Sequence, residues 1–205
     1  IEKIYTKEER EDSKKSVEYT LTQNGFDMNL LKDVVEIPIY ADNNITWKTF
    51  FGDNLDEVKT LYPMLRYETA EQFVKVSDYN KIARLYGQEE YELKDNEYIV
   101  LCDFDSMKNI RNMALKNENK FVINGKEYVS KYNECKSGYI MMSTSHVNTG
   151  IILVPDSCNL TDDMKEQQLL VANYNAQTDE EKQEIEKIFT SNDSILVQNL
   201  TNKGI

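Results

Sequence analysis

His146 is the only histidine in the chain, and Ser143, Thr144 and Ser145 stand directly before it. A hydroxyl beside an imidazole is the raw material of nucleophilic catalysis. That chemistry also needs a positioned base and a sharp nucleophile turn, and no G-x-S-x-G elbow is present. The residues read as a polar turn between two strands. One histidine also excludes an HExxH zinc helix and a multi-histidine metal site. The seven glycines, at 25, 52, 87, 125, 138, 150 and 204, are too scattered for G-x-G-x-x-G or a Walker A loop. They read as turns and caps, and nucleotide hydrolysis within the chain is excluded.

Carboxylates are plentiful. Asp103 and Asp105, Asp162 and Asp163, and Glu180 and Glu181 are close in sequence. A glycoside hydrolase needs only two carboxyl groups facing each other, so a secreted carboxylate-dependent hydrolase stands as one alternative reading. Asp103-Phe104-Asp105 follows an apolar run, but Met107 and Lys108 break the calcium-loop pattern. These acids read better as caps of the next helix. The three cysteines, Cys102, Cys135 and Cys158, share no metal-ligand spacing. Cys102 reads as a buried small hydrophobe, and a Cys135–Cys158 bridge is open. Trp47, Phe50 and Phe51 put three large rings within five residues. A strand buries one face, so part of this set is the candidate ligand-binding surface, suited to a cationic amphipathic ligand. No metal or cofactor is expected.

Those side chains need a scaffold. The chain has 205 residues, with 24 basic against 36 acidic side chains and a net charge of −12. That is long enough for a self-sufficient core and too acidic for a general nucleic-acid binder. Lysine outnumbers arginine strongly, the bias of AT-rich codons. No run reaches the ~18 apolar residues of a membrane span. The chain starts at Ile1 without a signal peptide, which suggests a removed leader or an excised piece.

Residues 1–16 are mostly charged and read as a stalk helix with a thin apolar stripe of Ile1, Ile4 and Tyr5. Residues 17–22 alternate and read as a strand. A short helix is expected over 27–35, stopped by Pro38, with 37–40 extended. A strand is expected over 45–51 and a helix over 55–62. Residues 71–76 alternate as a strand, and Ser77 is the expected N-cap of a helix over 78–86 closed by Gly87. Further strands are expected at 98–102, 121–123, 127–129, 139–142, 150–154, 169–174 and 195–197. Asn124-Gly125 signals a hairpin. Helices are expected over 105–116 and after the capping box Thr178–Glu181, with a weak helix start at 161–164. The expected class is α+β: a mixed or antiparallel sheet with short helices, an N-terminal stalk (1–16), a globular body (17–190) and a polar return segment (191–205).

Val76-Ser77-Asp78-Tyr79-Asn80-Lys81-Ile82-Ala83-Arg84-Leu85-Tyr86-Gly87, followed by Leu93-Lys94-Asp95-Asn96-Glu97-Tyr98-Ile99-Val100, resembles the extracellular domains of FtsX-like ABC-transporter permeases from low-GC Gram-positive bacteria. The segments 122–128 and 152–156 fit the same resemblance, and the size and β-rich middle are most similar to the BceB-type, bacitracin-resistance subgroup. The resemblance implies a non-enzymatic ligand-sensing and coupling domain on the extracellular face of the cell membrane, inserted between two transmembrane helices. ATP hydrolysis would lie on a separate cytoplasmic ATPase subunit. Implied partners are a cationic peptide antibiotic or a lipid-linked cell-wall precursor, and a sensor histidine kinase. Ile4, Tyr5, Ile195 and Val197 would belong to the stalks that relay movement. An alternative in the same family is a permease for lipids or lipoproteins, or one that signals to cell-wall hydrolases.

Overall fold

A computed structural model describes residues 16–23, 25–51, 55–64, 67, 70–102, 105–115, 120–138, 150–160 and 164–190. The expected stalk and return segments, with Ile4, Tyr5, Ile195 and Val197, lie outside the described residues, as do the expected strands at 139–142 and 195–197.

Among the described residues, seven strands form one mixed sheet in the order β4-β5-β3-β6-β2-β1-β7. They are β1 (Leu31–Thr46), β2 (Ala70–Lys75), β3 (Glu97–Cys102), β4 (Lys120–Ile123), β5 (Lys126–Ser130), β6 (Gly150–Val154) and β7 (Lys165–Tyr174). The β2–β6 and β3–β5 pairs are parallel and the other four antiparallel. The α+β expectation holds.

β3 and β6 read as unbroken apolar runs because both faces of the sheet are covered. Tyr98, Val100 and Cys102 of β3 join Ile152 and Val154 of β6 in one core, while Ile99, Leu101, Ile151 and Leu153 point into the other. The helices α2 (Trp47–Phe51), α3 (Leu55–Leu61) and α5 (Asp105–Leu115) cover the first face through Phe51, Val58, Ile110 and Leu115. The second face is covered by α4 (Val76–Leu85), through Val76, Tyr79, Ile82 and Ala83. A third, smaller core sits on the β1/β7 edge. There α1 (Val17–Gln23) and α6 (Asp179–Thr190) meet, with Leu21 and Ile185 buried beside Phe26 and Leu31.

Several local expectations are corrected. Residues 17–22 form helix α1, not a strand. Val17 and Leu21, four apart, turn toward the third core, whereas Tyr19 is exposed. Ser16 Oγ accepts from the Tyr19 amide, and the Glu36 carboxylate of β1 accepts from the Val17 amide at 2.6 Å. The helix expected over 27–35 shrinks to one 3-10 turn, Met28–Leu30, before β1 begins. β1 runs through Pro38, which pairs with Gln168 in the β1–β7 ladder and lies two residues before the β1–β2 ladder begins at Tyr40↔Phe73. The expected strand at 45–51 ends at Thr46 and becomes α2. Ser77 is not the N-cap of α4. The cap is Lys75, which makes no side-chain bond, and Asp156 Oδ1 accepts from the Ser77 amide across the chain at 3.2 Å. Met164 leads into β7, and residues 161–163 of the expected helix start are outside the described residues.

The local signals at Gly87, Asn124-Gly125 and Thr178–Glu181 hold. Gly87 sits at φ +63°, the Gln88 amide donates to Ala83 O at 2.8 Å, and the Gly87 amide reaches Arg84 O, a Schellman closure. Thr178 Oγ1 accepts from the Glu181 amide, and Glu181 returns the bond to the Thr178 amide, each at 3.2 Å.

Candidate functional site

The lobe formed by α2 and α3 is the candidate binding surface. α2 starts where β1 stops: the Thr46 amide donates to Thr49 Oγ1 at 3.1 Å, and the Lys48 amide donates to Tyr67 O at 3.0 Å. Helical spacing then separates the three aromatic candidates. Phe51 turns into the core, 2% exposed, and meets the Tyr67 ring edge-on at 5.9 Å. Phe51 is therefore an anchor of the lobe rather than part of its open surface. Trp47 and Phe50 share the same helix, one turn apart, and their side chains lie outside the described ones. The Tyr67 hydroxyl reaches the carbonyls of Tyr62 (2.7 Å) and Val58 (3.2 Å) and ties down the end of α3. Burial raises the pKa of that hydroxyl and keeps it a donor.

Beyond that tie, the lobe exposes apolar surface. Leu61 is 56% and Met64 90% exposed, with exposed Pro63 between them. One turn back, Asp56 and Glu57 stand exposed in the first turn of α3. A methionine on a short tether adapts its shape to a ligand, and adjacent carboxylates favour a cation. The uncharged run Leu61-Tyr62-Pro63-Met64-Leu65 is the sequence signal for this tip.

A second constellation is buried under the lobe. Arg111 of α5 donates to both carboxylate oxygens of Glu71 on β2, at 2.6 and 2.9 Å, and both side chains are 2% exposed or less. Burial pushes the Glu71 carboxyl up against the pull of Arg111. Burial also works against the Arg111 charge, but Glu71 outweighs it and raises the guanidinium pKa. The two-pronged geometry fits a guanidinium and an ionised carboxylate, so the pair is ionic. Asp42 lies directly opposite Glu71 in the β1–β2 ladder, so the arginine also offsets a like-charge pairing. Sequence reasoning missed the pair because a lone charge on a helix reads as surface.

The remaining candidates take structural roles or fall outside the described residues. All three cysteines are buried, and no Cys135–Cys158 bridge is formed. Burial pushes the Cys135 thiol up to about 12 and raises that of Cys158, which leaves both protonated and unreactive near neutral pH. Glu181 is committed to its capping box, and Glu180 beside it is exposed. Asp103, Asp162, Asp163 and the segment Ser143–His146 lie outside the described residues, as does the side chain of Asp105. Among the described residues, no group of three or more His, Cys, Asp or Glu is placed to hold a metal.

The residues that carry the family resemblance form a lock. Tyr79 is fully buried in the second core. Asn80 presents its amide like a strand backbone, with Nδ2 donating to Tyr91 O at 2.8 Å and Oδ1 accepting from the Tyr91 amide at 2.9 Å. The Tyr91 hydroxyl donates to Ser137 O at 3.0 Å. Glu97 Oε2 accepts from the Lys94 amide, and that bond holds the Glu97 carboxyl below the usual range. The motif thus fastens α4 to the 88–96 connection and positions β3. No family model, curated protein or solved structure matches the chain.

Proposed function

We propose that the chain is a non-enzymatic ligand-sensing and coupling domain of an FtsX-like ABC-transporter permease, displayed on the extracellular face of the membrane, with the α2–α3 lobe as its contact surface. One observation carries this reading. α1 and α6, through which the described chain enters and leaves the sheet, share a single small core on the β1/β7 edge. A domain inserted between two membrane segments needs its two connections side by side, so that ligand contact on the body is felt by both. The acidic chain and the apolar tip support a cationic amphipathic ligand, and the resemblance supports a permease that works with a separate ATPase subunit. No described helix is long and apolar enough to cross a membrane, and in this reading the membrane helices lie outside the chain.

The test uses Trp47, the only tryptophan. Cationic peptide antibiotics and a lipid-linked cell-wall precursor are titrated against the chain while its fluorescence is followed at low and high salt. A saturable change that weakens with salt is expected for the peptides, and Leu61→Ser/Met64→Ser should weaken it about tenfold, the effect of losing roughly 60 Å² of apolar contact. No response to any ligand of the panel overturns direct sensing by this domain. Unchanged affinity in the double variant moves the contact surface off the lobe.

A further inference from the structure

The β4–β5 hairpin turns on Asn124 (φ +50°) and Gly125 (φ +77°), closed by the Ile123↔Lys126 pair. Both turn residues are exposed. The Asn124 side chain does more than turn the chain: its Nδ2 donates to Asn159 O at 2.6 Å, a contact 35 residues away in sequence. Asn159 belongs to the connection after β6, which is fastened at three further points. Asp156 receives the Ser77 amide at the start of α4, Ser157 Oγ donates to Asp95 Oδ1 at 2.9 Å, and Cys158 is buried in the first core. The 155–160 connection therefore links the hairpin, the 88–96 connection and α4; Cys158 meets the Tyr128 hydroxyl of β5, and Asn124 ties the far end of the connection, at Asn159, to the hairpin turn.

We propose that Asn124 is a site of spontaneous deamidation, and that the reaction unfastens the 155–160 connection. Asparagine amides are thermally labile, and glycine as the next residue leaves the attacking nitrogen unhindered because it has no Cβ. The Gly125 backbone nitrogen attacks Asn124 Cγ. The N–Cγ bond forms, the Cγ–Nδ2 bond breaks, and the amide nitrogen leaves as ammonia with the proton from Gly125. Water then opens the cyclic imide at either carbonyl to give aspartate or isoaspartate. Either product replaces a donor by a carboxylate facing the Asn159 carbonyl oxygen, so a bond becomes a repulsion. No oxidant, metal or enzyme is required.

The experiment incubates the whole chain in mildly alkaline buffer, then digests it with trypsin. Cleavage after Lys120 and Lys126 isolates residues 121–126. A one-dalton gain on that peptide, split into two chromatographic forms, is the expected result. The other Asn-Gly, at residues 24–25, falls in a different peptide and is read separately. The deamidated fraction, separated by charge, should exchange backbone hydrogen over 155–160 about threefold faster, the loss of one exposed hydrogen bond. Asn124→Asp should reproduce that acceleration from the start, and Asn124→Gly, which keeps the turn without the donor, should give part of it. An unchanged 121–126 peptide, under conditions where the same chain unfolded in denaturant gains the dalton, overturns the site. Faster deamidation with unaltered exchange over 155–160 overturns the unfastening.

Discussion

At the scale of single residues, the Glu71–Arg111 pair governs how much of the lobe's floor is fixed. A buried ion pair is a modest stabiliser as a whole but costly to halve. Arg111→Met should destabilise the chain by about 3–5 kcal/mol in urea unfolding, because Glu71 is left dry without the partner that offsets its burial. The double change Glu71→Leu/Arg111→Met should recover most of that loss. If the single variant unfolds at the wild-type midpoint, the pair is not the anchor described. Arg111 shows why such residues resist sequence reading. In the sequence Met107, Ile110, Met113 and Ala114 stand at helical spacing and made the helix legible, whereas the carboxylate that licenses burial of a charge lies 40 residues away. Phe51 is a similar case: its aromatic type was visible as a candidate, but its direction was fixed by a helix whose start depends on where β1 lets go.

At the scale of elements, Asn80 is the test. It stands in for a strand, and Asn80→Ala should cost about 2 kcal/mol by removing both bonds to the Tyr91 backbone. Hydrogen exchange should rise over residues 88–93 more than in α4 itself; equal acceleration in both would mean the loop is not held by this side chain. The elements legible in the sequence are those closed by local chemistry: the Schellman glycine, the Asn-Gly hairpin and the capping box. Those misread depend on partners. In α1, Val17, Tyr19 and Leu21 fit a period of two as well as a period near four, and only the third core decides. In β1, Asp33 at φ +52° makes a bulge that breaks the alternation, so Met28, Leu31 and Val34 imitate a helix. α2 holds aromatics that favour strands elsewhere.

At the scale of the whole molecule, strand runs alternating with short helices were legible, and so the fold class. The strand order was not legible, because β3 finds β6 nearly fifty residues later and β1 finds β7 across the whole body. The cores differ in size, and stability should follow. Leu21→Ala should speed exchange in α1 and α6 together while β3 and β6 keep their protection, since Leu21 and Ile185 share one small core on the sheet edge. Acceleration confined to α1 would separate the two helices and remove the coupling they are proposed to share. The third core has a mechanical meaning as well. A pull that draws residue 17 away from residue 190 loads Leu21, Phe26, Leu31 and Ile185 before it stretches the ladder of β3, β6 and β2. The body then behaves as a stiff plate on a compliant joint, and tension reaching it is relieved at the edge.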